Sequence, residues 1–378
     1  MRIGAYAVAL GAALFGSPAT AKSVHVAVAG DQALVNYVND VLAPRFEKAH
    51  PGVKVFALGT GPGEMGSQSI FHKLAAQKAA GVEKWDFDVI VIHQKVAGPM
   101  AQEGLLAAYK DKIPTGALVT RDTARTALGT DVTGYVMPMF HTQVAIAYHP
   151  DLVKDAPTSY AEIAEWVKKN PNKFGYSGIK RDTSGVGFVT GWLYAFGGDA
   201  DKLIQGPYDA GTKTAWDKPL ADLKAFNSSV VVTPSDDSTL DQLSRGELAM
   251  GSVWTHTFFT LRGQGKLPPG MKLTLLDPGM PGQPMYYAIP AKAANAELAE
   301  KFLALATSPE VQAEGIVKRF NWYPGIDAAH LDGKLDAALW QALFSDITPS
   351  DLAAKGKPFP LGQYMNEIRE AYRQRVEN

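Results

Sequence analysis

Short apolar segments alternate with amphipathic ones along the chain, and this alternation restricts the folds open to it. Val24–Ala29 and Val53–Leu58 have the length and composition of strands. Between them, Ala33–His50 carries apolar residues at helical spacing until Pro51-Gly52 ends the pattern. Phe87–Ile92 is an uninterrupted apolar run, typical of a strand buried on both faces. The pattern predicts an α/β fold with mainly parallel, doubly wound sheets covered by helices.

The second half of the chain repeats this order. Val144–Tyr148 and Leu248–Val253 predict strands, and the helices predicted there are Ser159–Asn170 and Ala296–Ala306. The Pro/Gly-rich stretch at 278–282 predicts a loop that leads into a further strand. A chain of 378 residues is longer than one hydrophobic core usually serves. We therefore expect two α/β lobes joined by several crossings.

The N-terminus has the pattern of a secretory signal. Arg2 precedes an apolar run from Ile3 to Phe15, and Ala19-Thr20-Ala21 matches a cleavage site. The run is shorter than the roughly 20 residues that a membrane-spanning helix needs. We expect residues 1–21 to be a cleaved signal peptide and the mature protein to begin at Lys22 in the periplasm. An uncleaved anchor is the alternative.

Composition and motifs argue against several classes of function. The chain has no cysteine, which excludes disulfides, thiol nucleophiles and thiolate metal sites. Its formal net charge of -1 without a basic stripe argues against nucleic acid as a partner. Neither His-Glu-x-x-His nor Gly-x-Ser-x-Gly occurs, and Asp236-Asp237 between serines is interpreted as an exposed turn. We expect no catalytic residues, metal site or cofactor.

Five groups of segments together resemble a known family. They are Phe46–Val55, Phe87–Val91 with Gly104-Leu105-Leu106, Tyr148–Lys154 with Pro157–Glu162, Gly246–Gly251, and Ser308–Gln312. In this order the chain resembles the extracellular solute-binding proteins of bacterial ABC importers, in the group that includes carbohydrate, polyamine and thiamine binders. The resemblance covers nearly the whole chain after the signal sequence.

The resemblance implies a two-lobed periplasmic-binding-protein fold of type II, with a hinged cleft between the lobes. It implies a monomer without catalytic activity that closes on a small solute and delivers it to ABC permease subunits in the inner membrane, which work with a cytoplasmic ATPase. The expected lobes are 22–140 plus 278–322 and 141–275 plus 323–378. Hinge segments are expected at Met139–Gln143, Leu273–Asp277 and Asn321–Ile326.

Ligands in doubly wound sheets lie beyond the carboxyl ends of the strands, so residues that follow strands are the site candidates. Asp31 and Gln32 follow the first strand. Asp31 can contact a cationic or hydroxylated solute, and capping of the next helix is the alternative. His93 and Gln94 end the third strand, where the histidine can bind a hydroxyl group or cap the following turn.

The turn after the second strand runs from Gly61 to Gly66 and matches Gly-x-Gly-x-x-Gly. This is the pattern of a dinucleotide site. Export of the chain and the missing amide donor of Pro62 argue against that interpretation. A tight turn, with or without backbone amides offered to a ligand, is the alternative, and Glu64 favours a cation over a phosphate there.

Polar residues at the hinge and at a helix start are further candidates. His141 and Thr142 lie in the first hinge segment, from which they can reach a ligand, although Thr142 can equally satisfy the hinge backbone. Ser184 opens a Gly-rich helix start that can bind an anion or a carbonyl group. Trp192 and Phe196 share one face of that helix, either as a ligand platform or as a core pair.

Aromatic residues complete the candidate site. Trp254 and His256 follow the strand that ends at Val253, and an aromatic face there can stack on a sugar ring or hold a cation. Trp254 is the main candidate. Trp322 and Tyr323 in the third hinge segment come second, with hinge packing as the alternative.

The ligand class stays open between two chemistries. Aromatic residues with neutral polar partners favour a polyol or carbohydrate, whereas Asp31 and Glu64 beside Trp254 suit a polyamine or a thiamine-like cation. An exported hydrolase, or a binding module that serves a sensory receptor, are the alternative functions.

Overall fold

The computed structural model describes residues 22–180 and 183–377, so the predicted signal peptide lies outside the described residues. The strands are β1 Lys22–Ala29, β2 Val53–Gly61, β3 Val89–His93, β4 Leu106–Ala107, β5 Thr126–Ala127, β6 Thr130–Asp131, β7 Val136–Tyr148, β8 Phe174–Ser177, β9 Val231–Thr233, β10 Met250–Trp254, β11 Lys272–Thr274, β12 Met280–Pro290, β13 Tyr323–Pro324 and β14 Gly356–Lys357. The α-helices are α1 Gln32–Tyr37, α2 Ala43–Ala49, α3 Gly63–Ala79, α4 Gln94–Gln102, α5 Tyr160–Lys169, α6 Thr183–Phe196, α7 Ala200–Gln205, α8 Asp217–Asn227, α9 Asp236–Ser244, α10 Thr255–Gly263, α11 Ala296–Ala306, α12 Pro309–Val311, α13 Ala337–Phe344, α14 Pro349–Lys355 and α15 Gly362–Tyr372.

The first lobe is built on three parallel strands in the order β2-β1-β3. Buried valines such as Val26 in β1 pair with β3, and both faces are covered by helices, as the apolar runs predict. The predicted helix over 33–50 is present as α1, a π-helical turn at Val38–Leu42, and α2. Its buried residues Leu34, Val38 and Phe46 lie at helical spacing toward the sheet.

Two long strands run from one lobe into the other. β7 has 13 residues: its first half pairs with β12, and its second half pairs with β10 and β11. β12 also pairs with β3, so one sheet in the order β2-β1-β3-β12-β7-β10-β8-β9 passes through both lobes. The outer pairs β1–β2, β1–β3, β8–β9 and β8–β10 are parallel. The expected two-lobed, type II arrangement is confirmed.

The second crossing lies further along the chain than the sequence indicates. The predicted hinge at 273–277 is wrong, because β11 pairs with the distal end of β7 inside the second lobe. Instead, Gly282 and Gln283 lie beside Gln143 and Thr142. A side chain at Gly282 would place its Cβ 2.3 Å from Gln143 Oε1, so this close pairing requires glycine.

The Pro/Gly-rich stretch at 278–282 is also partly strand and not only loop. Met280, Pro281 and Gly282 belong to β12. A side chain binds two of their peptide carbonyl groups: Gln143 Nε2 donates to Met280 O at 2.6 Å and to Pro281 O at 2.9 Å. The other two expected hinge segments lie side by side, since β13 pairs with His141 and Phe140 of β7.

The second lobe packs its helices around an aromatic core. The predicted Gly-rich region forms helix α6, in which Trp192 and Phe196 contact each other with ring centroids 4.8 Å apart. The C-terminal helix α15 packs on this lobe, where the Tyr372 and Tyr176 hydroxyl groups lie 2.8 Å apart. Among the described residues, none of the helices combines the length and hydrophobicity needed to cross a bilayer.

Candidate solute-binding cleft

A cleft of about 750 Å³ lies at the carboxyl ends of the strands, between the two lobes. Residues that follow β1, β2 and β3 form its first wall, and residues that follow β8, β9 and β10 form the second. This is where open α/β sheets place their ligands. Six of the predicted site residues line it, namely Asp31, Glu64, His93, Thr142, His256 and Trp322.

Asp31 caps the helix that follows it and also lines the cleft. Its Oδ1 accepts a hydrogen bond from Leu34 N at 3.1 Å, which caps α1, and its side chain also lines the cleft. The cap uses one carboxylate oxygen. No ion pair engages Asp31 among the residues that the structure describes, so its charge is available to a solute.

Glu64 and Lys95 form an ion pair on the first wall. Their Oε2 and Nζ atoms are 2.7 Å apart. Burial acts to raise the pKa of Glu64, but the hydrogen bond from Lys95 and the positive charges nearby outweigh it, and the pKa falls below its usual range. Glu64 is therefore ionised at neutral pH and largely neutralised by Lys95.

His93 is held as a neutral imidazole. Burial lowers its pKa, against the opposing charge of Glu64. Its Nδ1 accepts from Lys95 N at 3.2 Å as the cap of α4, which leaves the ring proton on Nε2. The capping interpretation of His93 is thus correct, and the ring still lines the cleft.

Trp322 forms a fixed aromatic surface in the cleft. Its ring is stacked on Phe320 with centroids 4.5 Å apart, and it contacts Phe140 at 4.6 Å. Its Nε1 donates to Thr260 Oγ1 at 3.0 Å, and His256 approaches it edge-on. Only 9% of Trp322 is exposed, so it presents one rigid apolar surface.

A hydrogen bond across the hinge orients His256. Thr142 Oγ1 in β7 lies 2.7 Å from His256 Nδ1 at the start of α10. Both residues line the cleft at the pivot between the lobes. Thr142 therefore fixes a histidine that faces the solute space.

Three charged residues of the second wall were not among the predicted ones. Lys180 lies just beyond β8, and the rule of looking after strand ends would have found it. Asp237 is exposed and lines the cleft from the first turn of α9, which Ser235 caps, so the predicted turn is the start of a helix, and Asp236 beside it is buried and not exposed. Arg369 comes from α15, and no local sequence signal indicates that this helix reaches the cleft.

The second wall is mixed in charge. Lys180 Nζ pairs with Glu377 at 2.9 Å. Arg369 Nη1 donates to Ile179 O at 3.1 Å, which anchors the guanidinium. Within the described ranges, no ion pair engages Asp237, and no cluster of three or more His, Asp or Glu side chains is arranged to hold a metal ion.

Trp254, the main candidate from sequence, does not line the cleft. It is 4% exposed, its N donates to Asp236 Oδ1 at 3.0 Å, and its ring lies near Phe359 with centroids 6.3 Å apart. The side chain at the strand end points into the second lobe, and His256 and Thr257 after it face the cleft instead. We remove Trp254 from the candidate site.

Three other aromatic or hydroxyl candidates are also core residues. Trp192 Nε1 donates to Pro219 O at 2.9 Å within the second-lobe core. Tyr323 is buried with its ring stacked on Phe344. Ser184 is buried with its Oγ 2.7 Å from Ser177 Oγ. The structural alternatives stated for Trp192 and Tyr323 are the ones observed.

His141 and Gln32 also lie outside the cleft. Burial, together with the charge of Arg121, lowers the pKa of His141 to about 3, so it stays neutral inside the hinge. Gln32 is exposed and donates to Asn36 Oδ1 at 2.9 Å.

Gly61 and Gln94 are likewise placed beside the cleft and not in its lining. Gly61 O accepts from Gly30 N at 2.8 Å, so the glycine-rich turn closes on the first strand. Gln94 lines a smaller side pocket, where its Nε2 donates to Gln283 Oε1 at 2.8 Å.

The fold and the cleft are those of the two-lobed periplasmic-binding-protein fold of type II. Residues 42–342 match the family described as bacterial extracellular solute-binding protein. The chain belongs to this family, whose members supply solutes to ABC importers. A search by sequence among curated proteins finds no match.

Solved structures of solute-binding proteins share the fold. An extracellular solute-binding protein assigned in Bordetella parapertussis is 16% identical, with 94% of this chain and 99% of that chain covered and a TM-score of 0.73. The maltose-bound MalE3 of T. maritima is 17% identical, with 94% and 95% covered and a TM-score of 0.69. The spermidine/putrescine protein PotD of Streptococcus pneumoniae is 13% identical, with 93% and 98% covered and a TM-score of 0.68.

Proposed function

We propose that this protein captures a small polar solute in the periplasm by closing its two lobes about β7 and β12, and delivers it unchanged to an ABC permease. The observation that carries the proposal is the cleft itself, whose lining comes from the strand ends of both lobes. A solute that contacts both walls stabilises the closed form and shifts the population toward it. The protein acts as a monomer, without catalysis or nucleic acid.

We propose moving lobes with the bounds expected from sequence, with one change. Residues up to about Lys334 remain with the first lobe, because Thr120 N donates to Asp327 Oδ2 at 2.9 Å and Lys334 pairs with Glu310 at 2.6 Å. The rest of the C-terminal segment belongs to the second lobe. Arg369 therefore moves with the second wall of the cleft.

We propose a ligand body that is hydroxylated or cationic. Trp322 offers a rigid aromatic group in the cleft lining, against which a sugar ring or a cation can pack. Asp31 and Asp237, one from each lobe, offer carboxylates without ion-pair partners among the described side chains. The maltose-bound protein and the spermidine/putrescine transporter protein among the structural neighbours represent these two chemistries.

A thermal-shift screen of the chain from Lys22 onward tests this function. The panel contains sugars, polyols, polyamines, thiamine and amino acids. A ligand at 100 times its dissociation constant adds about 2.7 kcal/mol to the free energy of unfolding, which raises the melting temperature measurably. Mass spectrometry of the recovered solute should show it unchanged, whereas a converted product would contradict a pure binding role.

A further inference from the structure

A side pocket of about 180 Å³ opens beside the main cleft. Glu64, His93, Gln283 and Arg369 line both spaces. The far wall of the side pocket comes from α15 of the second lobe, and Lys95 and Leu128 close it from the first lobe. A solute bound in the main cleft can therefore extend a polar group into the side pocket.

The side pocket carries a net positive charge. Glu64 is matched by Lys95 at 2.7 Å, and His93 is neutral because it is buried and caps α4. Arg369 adds a further positive charge, and the only hydrogen bond that the described residues make to its side chain is the one from Nη1 to Ile179 O. Its remaining N–H groups are free to form the forked contact that guanidinium makes with carboxylates and phosphates.

The main cleft has the opposite balance. Asp31 and Asp237 face it from the two lobes without ion pairs among the described residues, and Lys180 is paired with Glu377. The site therefore combines a negatively charged main cleft with a positively charged side pocket. A purely neutral or purely cationic solute leaves the side-pocket charge of Arg369 unused.

We propose that the solute is dipolar, with an anionic group, carboxylate or phosphate, seated in the side pocket against Arg369 and a cationic or hydroxylated body in the main cleft. The inference rests on the proposed function and specifies its substrate class. The volume agrees with it: 180 Å³ is about six times the roughly 30 Å³ that one water takes up in the liquid. That space holds a carboxylate or phosphate with a few waters.

Isothermal titration of matched pairs of solutes tests the proposal. The pairs are 4-aminobutanoate and 4-amino-1-butanol, galacturonate and galactose, and glycerol 3-phosphate and glycerol, with inorganic phosphate as a separate probe. We expect at least one acidic member to bind about tenfold or more tightly than its partner, since hydrogen bonds to charged groups are among the strong ones. Arg369→Gln should remove that difference, and Arg369→Lys should keep part of it.

Arg373→Gln is the matched control, because Arg373 directly follows α15, is exposed and pairs with Glu370, so its replacement should not affect binding. Equal binding of both members of every pair, unchanged affinity of an acidic solute for Arg369→Gln, or no binding of any acidic solute or of phosphate would each overturn the inference. A neutral or cationic solute that binds more tightly than every acidic one would overturn it while leaving the proposed function intact. Failure of every solute in the wider panel would count against the proposed function as well.

Discussion

Replacing Gln143 by leucine should destabilise the crossing between the lobes. Gln143 is fully buried, and its Nε2 donates to Met280 O at 2.6 Å and to Pro281 O at 2.9 Å. Leucine has a similar size but no donor, so the carbonyl groups of Met280 and Pro281 each lose a buried hydrogen bond. Each such loss costs about 1–3 kcal/mol, and better apolar burial of leucine offsets a part. We expect the free energy of unfolding to fall by about 2–4 kcal/mol.

Urea unfolding followed by tryptophan fluorescence measures this loss, and Gln94→Leu is the matched control. Gln94 is also buried, but its Nε2 donates to the side chain of Gln283 beside a solvent-accessible pocket. Its replacement leaves no buried peptide carbonyl unpaired and should cost less than half as much. If Gln143→Leu were no more destabilising than Gln94→Leu, the argument that this side chain holds β12 at the crossing would be wrong.

Three further predictions concern the cleft. Trp322→Ala should weaken solute binding by about 1–3 kcal/mol in calorimetry. The control Trp192→Phe, in the second-lobe core, should lower stability and leave affinity unchanged. Equal affinities of Trp322→Ala and wild type would remove the Trp322 ring from the site. Asp31→Asn should keep the helix cap, because asparagine caps as well as aspartate, but it should lower the affinity for cationic solutes. Unchanged binding of cations would leave Asp31 only its capping role. The pKa of Glu64 is lower in the folded protein than in the unfolded chain. The stability that wild type gains over Glu64→Gln should therefore be present above about pH 4.3 and disappear as the pH falls through the lower folded pKa. Melting curves measured across pH test this, and a stability difference that persisted in acid would contradict an ionised Glu64.

Local patterns were enough to predict most of the fold. The helix Ala296–Ala306 is present with the bounds that its periodicity indicates, because apolar spacing and burial agree there. The Pro/Gly-rich start of β12 was assigned to a loop because proline and glycine usually interrupt strands. It is a strand because a distant side chain, Gln143, satisfies the carbonyl groups of Met280 and Pro281. No local rule contains that contact.

The cleft was only partly accessible to sequence reasoning. Looking beyond strand ends correctly brought together Asp31, Glu64 and His93, since parallel strands align their carboxyl ends. The same rule could not decide which of the residues after β10 faces inward, and it preferred Trp254, which packs into the second lobe. Arg369 reaches the cleft only because α15 packs back on the second lobe. That packing depends on residues distant in sequence, so local sequence patterns do not reveal it.

Closure of the two lobes on a solute is the central claim, and small-angle X-ray scattering tests it most directly. The protein from Lys22 onward would be measured free and saturated with a solute identified in the thermal-shift screen. We predict a smaller radius of gyration and a shorter maximum dimension in the bound form, because contacts from both walls of the cleft draw the lobes together about β7 and β12. A bound form with the same radius as the free protein would contradict capture by closure.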